Sequence, residues 1–490
     1  MMPLSIFSVN ILSENLLLLV SILTFAGVIV AKVGSKMGTP SLLLFLILGM
    51  LAGPDILGLH FDDLHLAESV GHFAMSVILF TAGMETSFKE TKPVFWKGIM
   101  LGSVGVILTV LITGTLITFS GIPIMAGLLI AAVLSSTDSA SVFSVLREKK
   151  VRLKENLGPL LELESGSNDP MAMTLVAILV KFFTDESLMQ KGPWEIAGAG
   201  LLMLVLQLGV GIGAGALVGY GSKWLLHKLQ SNDFALTAIL IMSVAFFANG
   251  LAQLLNGNGL LATYVAGIII GNKVEIINRK DIFKFYDGIT WMMQLVMFMM
   301  LGLLAHPTQM PRMILPALLS CLFMMFVTRP LSVFLCMLPF RKGLSFRAKA
   351  FVSWVGLKGA GPILFALYIV VQNLSYSEAN FSFVFLFALF SLLLQGGSLG
   401  WMAKKLHVAF EQDQDVETFG MEVPSEMGEM RDHIVTEDDI ANGKTLRELH
   451  LPHGIRVMMV RRDGRFLVPH GSMQLQVDDH LIIIMGDSDD

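Results

Sequence analysis

Long apolar runs, separated by short polar turns, fill the chain from residue 14 to about residue 408. A helix needs about 20 mostly apolar residues to cross a bilayer. On this measure the ninth run is short and the others are long enough. The pattern predicts thirteen transmembrane helices, over residues 14–33, 40–59, 68–88, 94–119, 121–146, 158–183, 195–226, 233–255, 258–272, 285–305, 312–339, 348–372 and 380–403.

The pattern changes after the last apolar run. Residues 409–430 are acidic and polar, which predicts a linker. Residues 456–461, 466–468 and 480–485 then alternate as strands do, with turn signals between them, and residues 444–449 suit a short helix. We therefore predict a transmembrane domain over residues 1–408, a linker over 409–430 and a small α/β domain over 431–490.

Composition agrees with a membrane protein. Hydrophobic residues make up 54% of the chain and charged residues only 15%, against roughly 25% charged residues in an ordinary soluble domain. We expect the lipid bilayer as the main partner, and no nucleic acid, because the chain has no basic stripe. Cys321 and Cys336 lie in one apolar run without the spacing of metal ligands, so no bound metal is expected beyond a transported cation.

The loops predict the orientation. Basic residues should lie on the cytoplasmic side of short loops, and the loops after odd-numbered spans are basic, as in the five basic residues of 147–154. Loops after even-numbered spans are acidic or neutral, as at Asp55 and Asp63, with Lys191 and Arg312 as exceptions. This predicts an N-terminus outside and a C-terminal domain in the cytoplasm.

Four polar groups interrupt the predicted spans. They are Ser135–Ser139 in the fifth, Glu164–Asp169 in the sixth, Thr328–Pro330 in the eleventh and Gly356–Pro362 in the twelfth. A charge at a helix centre costs roughly 3 kcal/mol or more, so such groups usually mark an ion or proton path. If spans one to six and eight to thirteen are repeats, the groups occupy equivalent places, as in inverted-repeat transporters with discontinuous helices.

Residues that disfavour helix accompany these groups. Gly359, Gly361 and Pro362 are expected to break the twelfth helix, and Pro330 removes a backbone hydrogen bond from the eleventh. In the fifth span the side chains of residues 137–139 can cap or unwind the helix by bonding to their own backbone. We therefore expect broken helices that cross within the membrane.

The sixth span carries the candidate ion site. Ser165 and Asp169 are four residues apart and share one helix face, and Glu164 and Asn168 share the next. Hard monovalent cations take oxygen ligands. We expect Asp169 to bind the cation together with oxygens of Ser165 and of the Thr137–Asp138 break.

Three further charges lie within these polar groups, and two of them have alternative interpretations. Arg329 is expected to pair with Glu164 and to keep it ionised. Asp138 is either an ion ligand or the cap of a helix after the break. Lys358 is expected to balance broken-helix carbonyls, with a proton carrier as the alternative. A carboxylate that carries either a proton or a cation, and never both, is the physical basis of antiport.

At these residues the chain resembles the monovalent cation:proton antiporter-1 family, which includes the NhaP proteins and the eukaryotic sodium/proton exchangers. The motifs that carry the resemblance are Glu164-Ser165 with Asn168-Asp169, the Thr137-Asp138 pair, Arg329 and the Gly-Leu-Lys-Gly-Ala run at 356–360. Lys358 departs from the family, where arginine is usual. A lysine there can titrate, which bears on strict electroneutrality.

The resemblance implies an all-α polytopic membrane protein of the NhaA/NapA type, with inverted repeats and broken crossing helices. It also implies a homodimer in which a core moves like an elevator against a dimerisation domain. Asp169 would be the carboxylate that exchanges ions. The residues that shape the site around it would be Asn168, Thr137, Ser165 and Glu164.

The tail resembles the RCK-C, or TrkA-C, domain of potassium-conductance regulators. The resemblance rests on Thr445–Leu449, Pro452–Ile455 and Asp478–Leu481. The combination is similar to the bacterial potassium/proton, cell-volume branch of the antiporters. It implies an inner-membrane protein whose cytosolic domain responds to a small molecule, such as a nucleotide, or to a protein regulator. Arg461, Arg462 and Arg465 are either a candidate anion or nucleotide site or a solvated strand-turn face.

The predicted function is secondary active exchange of cytoplasmic K⁺ for H⁺, without a cofactor and without enzymatic chemistry. Na⁺ remains an alternative, because the spacing of the ion site does not select the cation. A ligand-gated cation channel is disfavoured by the absence of a Thr-Val-Gly-Tyr-Gly filter. An intramembrane hydrolase is disfavoured because no histidine lies in the Ser165 or Asp138 segment to act as a base.

Overall fold

The computed structural model describes most of the chain and separates it into two compact units, Met1–Phe410 and Glu411–Asp490. The described residues are 16–37, 40–59, 61, 63–119, 121–149, 151–185, 187, 192–229, 233–274, 276, 279–340, 343–374, 377–410, 429–435, 439, 445–448, 455–462, 465–477 and 479–485.

The first unit is built of helices. In chain order they are α1 (Leu16–Met37), α2 (Ser41–Ala52), α3 (Leu64–Glu85), α4 (Phe88–Thr91), α5 (Phe95–Met100), α6 (Val106–Thr118), α7 (Ile124–Ser135), α8 (Ser139–Glu148), α9 (Leu157–Thr184), α10 (Pro193–Leu229), α11 (Phe234–Leu254), α12 (Gly259–Lys273), α13 (Arg279–Leu303), α14 (Pro311–Phe323), α15 (Arg329–Cys336), α16 (Phe346–Trp354), α17 (Ala360–Val371), α18 (Ser377–Ser391) and α19 (Gly397–Lys405).

This unit has the helices of a membrane protein. In the described part of the chain, eight helical stretches are long and apolar enough to cross a bilayer, and four shorter stretches are also apolar. One of the short ones, α2, ends at Ala52, well before the predicted end at residue 59. Gly53 and Pro54 stop it, because the residue before a proline avoids the helical conformation. The total of thirteen crossings stays a prediction.

Three wide π-helical turns join helices end to end: Leu101–Gly105, Met324–Thr328 and Leu392–Gly396. The second directly precedes Arg329 and Pro330. Pro330 has no N–H to donate, and the chain accommodates the missing bond by widening one turn rather than by breaking the helix. Single π-helical turns of this kind are frequent at functional sites.

Two helices do break. Residues 136–138 separate α7 from α8, and residues 355–359 separate α16 from α17. Gly359 lies in the second break, as expected. Gly361 and Pro362 lie directly after this break, in the first turn of α17. The N–H groups of a first turn have no partner within the helix, so a proline fits there without breaking it.

The helices pack through close backbone contacts as well as apolar side chains. One buried cluster surrounds both breaks, and a second joins α3 to α10–α13. At the crossing of α3 and α12, a Cβ on Gly83 would lie 2.4 Å from the carbonyl oxygen of Tyr264, and one on Gly267 would lie 2.4 Å from that of Phe80. Small residues at such crossings allow the close approach that stabilises helix pairs in lipid.

The second unit contains a four-stranded antiparallel sheet. Its strands β1 (Glu429–Ile434), β2 (Ile455–Arg462), β3 (Arg465–Leu467) and β4 (His480–Met485) lie in the order β1-β4-β2-β3. Strands β2, β3 and β4 overlap the segments predicted at 456–461, 466–468 and 480–485, whereas β1 lies outside those segments and begins within the last residues of the predicted linker. The expected helix over 444–449 is instead a turn in its described part, since Thr445 pairs with Gln474 in a β-bridge and fixes the backbone there. The predicted linker lies almost wholly outside the described residues.

Candidate functional site

The first break is held by Asp138. Its carboxylate accepts hydrogen bonds from the backbone N–H of Ser141 (3.2 Å) and from the Ser141 hydroxyl (2.5 Å). A carboxylate in this place satisfies N–H groups at the start of α8 and acts as a helix cap. The backbone N–H of Asp138 donates to the carbonyl of Leu357 at 2.9 Å. Asp138 thus has the geometry of a cap and joins the two breaks.

The two breaks cross in direct contact. A Cβ on Gly359 would lie 2.0 Å from Oδ2 of Asp138, and one on Gly361 would lie 2.8 Å from Oγ of Ser136. Real Cβ atoms do not approach other atoms so closely. Glycine is therefore required at 359, where the backbone of one break lies against the carboxylate of the other.

Lys358 lies at the C-terminus of α7. Its side chain is buried, and Nζ donates to the carbonyls of Ser136 (2.7 Å) and Ser135 (3.3 Å). Its backbone N–H donates to the Ser391 hydroxyl at 3.0 Å. Cations stabilise the C-terminal end of a helix, where the carbonyls carry partial negative charge. These contacts match the interpretation of Lys358 as a counter-charge to broken-helix carbonyls.

Arg329 likewise places a buried cation at the C-terminal end of α16. It forms the expected ion pair with Glu164, and its Nη2 also donates to the carbonyl of Val355, just after α16, at 3.3 Å. Both side chains are buried. Among the described residues, Glu164 Oε2 and Arg329 Nε are buried without a hydrogen-bond partner. Each broken helix therefore ends on a buried cation.

Asp169 is a buried carboxylate without such a partner. It is 7% exposed and accepts a hydrogen bond from the Ser136 hydroxyl. Within the described part of the chain, no lysine, arginine or histidine nitrogen lies within 4.0 Å of its carboxylate. A charged carboxylate that is buried without an ion-pair partner is unfavourable. The site can neutralise it with a proton or with a cation.

The neighbours of Asp169 on α9 hold the first break in place. Asn168 Nδ2 donates to the Thr137 hydroxyl, and Thr137 N–H donates to Asn168 Oδ1 at 3.3 Å. The Ser165 hydroxyl donates to the carbonyl of Thr137 at 2.8 Å and accepts from the N–H of Ser139 at 3.0 Å. Ser165 is thus bonded to the break rather than to Asp169, although the two share a helix face.

Sequence reasoning missed Ser136, the direct partner of Asp169. The signal was present in the hydroxyl-rich run of residues 135–139. Which hydroxyl reaches Asp169 depends on where the helix breaks, and the run itself does not give that position.

The sequence model of the transmembrane sodium/hydrogen exchanger family matches residues 19–405 of this chain. These residues contain both breaks, α9 and Arg329. The chain belongs to the sodium/hydrogen exchanger family. Asp169, Lys358 and the Arg329–Glu164 pair all lie within the matched residues. The second unit of this exchanger matches the TrkA-C domain over residues 430–489.

Named relatives cover nearly the whole exchanger. The K(+)/H(+) antiporter NhaP2 of Shewanella oneidensis is 34% identical over 96% of this chain and 81% of its own length. The K(+)/H(+) antiporter NhaP of Alkalimonas amylolytica is 32% identical over 96% of this chain and 80% of its own length. The fold is that of the sodium proton antiporter MjNhaP1 from Methanocaldococcus jannaschii, with a TM-score of 0.70 at 22% identity, over 80% of this chain and 99% of that one.

In the TrkA-C domain of the exchanger, Arg462 is part of an internal ion pair. Its Nη2 and Nε lie 2.6 and 2.8 Å from the two carboxylate oxygens of Asp479, and Nη2 also donates to the carbonyl of Gln474. Burial alone would raise the pKa of Asp479, but hydrogen bonds from Arg462 and from the N–H of Gln476 bring that pKa below its ordinary value. These contacts favour a structural role for Arg462. The side chains of Arg461 and Arg465 lie outside the described residues.

Proposed function

We propose that this chain is a secondary active monovalent cation/proton antiporter that exports cytoplasmic K⁺ in exchange for H⁺. The observation that carries the proposal is Asp169, a buried carboxylate without a cationic partner, placed where two broken helices cross. Family membership supports it, because the match covers this whole site.

The proposed mechanism depends on which buried charges are held by bonded partners and which one can change its ligand. Lys358 and Arg329 are each bonded to the end of a broken helix, and Arg329 is paired with Glu164. Asp169 is left to change its state. Loaded with a proton or with a cation, the site is neutral and can cross between the two membrane faces; empty and charged, it cannot. Each ligand therefore shifts the same two-state equilibrium, and their fluxes are coupled.

Potassium as the exported ion rests on the relatives. The two relatives described above match over almost the whole chain, and both are named K(+)/H(+) antiporters. The structure of the same fold, at lower identity, is named a sodium proton antiporter. Sodium therefore remains the alternative cation.

We also propose how the protein lies in the membrane. Thirteen crossings arranged as inverted repeats are supported by the paired positions of the two breaks. The basic loops support an N-terminus outside and a C-terminal domain in the cytoplasm of a bacterial inner membrane. We keep domains at 1–408, 409–430 and 431–490, the homodimer, and a regulatory ligand on the last domain as parts of this proposal.

The test is cation-driven dissipation of a preset pH gradient by the intact chain in proteoliposomes. Potassium, sodium and lithium are added separately, and the membrane potential is clamped or left free. The proposal expects saturable proton movement that K⁺ drives best. Cation leak that needs no proton gradient would point to a channel instead, and a response to Na⁺ or Li⁺ but not to K⁺ would overturn the choice of ion.

A further inference from the structure

Two polar side chains on the helices after the second break are buried and take no part in the mechanism proposed above. Ser391 is the last residue of α18, and Gln395 lies in the π-helical turn Leu392–Gly396 that joins α18 to α19. Buried polar groups are unfavourable unless they are hydrogen-bonded, more so within an apolar span. Their partners therefore indicate what these two side chains do.

The two side chains bridge the whole second break. Gln395 Nε2 donates to the carbonyl of Trp354, the last residue of α16, at 3.2 Å. The Ser391 hydroxyl donates to Gln395 Oε1 at 2.7 Å and accepts from the backbone N–H of Lys358 at 3.0 Å. A continuous series of hydrogen bonds thus joins the end of α16 to Lys358, on the other side of residues 355–357.

The first break is held in a similar way. On α9, the amide of Asn168 and the hydroxyl of Ser165 bond to the backbone of residues 137 and 139. Helix α9 follows the first broken helix, α7–α8, along the chain, and α18 follows the second, α16–α17. Each break is therefore held by one hydroxyl and one amide from the span that comes after it.

Hydrogen bonds continue from the second break to the ion site. Lys358 Nζ donates to the carbonyl of Ser136 at 2.7 Å, and the hydroxyl of Ser136 donates to Asp169. A shift of the backbone at Lys358 would move Nζ away from the end of α7, and with it the support of Ser136. Ser391 and Gln395 can therefore act on Asp169 without touching it.

We propose that Ser391 and Gln395 are positioning residues for cation binding at Asp169. This inference rests on the proposed antiport and adds two residues to it. The pair fixes the backbone of the second break, and the break in turn fixes Lys358 against the end of α7. Without the pair, the arrangement that binds the cation is populated for only part of the time, and the apparent affinity falls by that fraction.

The transport test measures KM and maximal rate for K⁺-driven proton exchange by Ser391→Ala and Gln395→Met in proteoliposomes. Each is expected to raise KM about fivefold, the order of effect of one lost hydrogen bond. The maximal rate should be retained, because saturating cation restores the binding arrangement. Ser391→Thr, which keeps the hydroxyl, should have the KM of the parent. The control is Ser382→Ala, a buried serine earlier in α18 that lines a cavity with Pro54 and Phe61.

A double variant tests whether the two residues act as a unit. Both act through the same series of bonds, so Ser391→Ala with Gln395→Met should raise KM about as much as either change alone. A KM raised by the product of the two single effects would contradict the proposed series.

Hydrogen exchange gives a readout that does not depend on transport. In the intact chain in micelles, the N–H groups of residues 355–359 should exchange faster in Ser391→Ala and Gln395→Met, while the rest of the membrane unit keeps the rates of the parent. Faster exchange throughout the unit, or a lower maximal rate at unchanged KM, would mean that the pair serves folding alone and would overturn the inference. An unchanged KM in both single variants would also overturn it and leave antiport intact. Absence of proton-coupled exchange by the unmodified chain would instead overturn the proposed function.

Discussion

Replacing Arg329 by methionine should strongly destabilise the membrane unit. The substitution keeps a long apolar side chain but removes the cation beside Glu164, and the two side chains of this pair are only 7% and 2% exposed. Breaking a buried ion pair by removing one partner costs about 3–5 kcal/mol, because the other charge is left without compensation. The lost hydrogen bond to Val355 is part of the same change.

The double variant Arg329→Met with Glu164→Leu should be less damaged than Arg329→Met alone. It removes both charges together with their unpartnered atoms, Glu164 Oε2 and Arg329 Nε. Replacement of a whole buried pair by apolar residues is often close to neutral. We expect the double variant to cost less than about 2 kcal/mol. Because each single variant leaves one buried charge uncompensated at about 3–5 kcal/mol, the coupling energy between the two positions should exceed about 4 kcal/mol.

The assay is reversible unfolding in mixed micelles, followed by tryptophan fluorescence, for the parent, both single variants and the double variant. Arg312→Met serves as the control, because Arg312 is an exposed arginine at the start of α14. A cost below 1 kcal/mol for Arg329→Met, or a double variant that equals the sum of the singles, would refute the reasoning.

Gly359→Ala should abolish transport, because its Cβ would lie 2.0 Å from the Asp138 carboxylate, whereas Gly250→Ala, with open space around it, should retain transport in the same vesicle assay. Lys358→Arg should retain transport and Lys358→Met should reduce it at least tenfold, since only a cation can stabilise the carbonyls at the end of α7; equal rates for the two would contradict this. The lowered pKa of Asp479 means that its ionised form stabilises the tail above the unfolded pKa of about 3.9 and that this contribution is lost as pH falls through the lower folded pKa. The stability of the tail against urea can be measured in the intact chain by hydrogen exchange of β4. In the parent this stability should fall below about pH 4, whereas in Asp479→Asn it should not show this fall.

The sequence located the polar interruptions well because charge and amide groups are rare in lipid-grade segments. The Arg329–Glu164 pair follows from the same reasoning, since a permanent cation within an apolar span needs an anion. The residues at which a helix resumes after a break were harder to predict. Gly361 and Pro362 look like breakers in sequence, yet they begin α17, because a first turn tolerates both residues.

Details of the ion site depended on three-dimensional contacts that spacing does not encode. Ser165 shares a helix face with Asp169 but bonds to the Thr137 carbonyl, and Ser136 takes the place next to the carboxylate. In the tail, the alternation of apolar and polar residues predicted strands. The ion-pair partner of Arg462 was not predictable in this way, because Asp479 lies seventeen positions further along the chain, directly before β4.

Exchange by Asp169→Asn tests the central claim most directly. Purified intact chain, Asp169→Asn and the exposed-carboxylate control Asp287→Asn are reconstituted side by side, and K⁺-driven dissipation of a preset pH gradient is measured in each. The account predicts exchange by the intact chain and by Asp287→Asn, and none by Asp169→Asn although its fold is retained. Full exchange by Asp169→Asn would contradict the account, because the carboxylate that has to carry proton and cation in turn would then be dispensable.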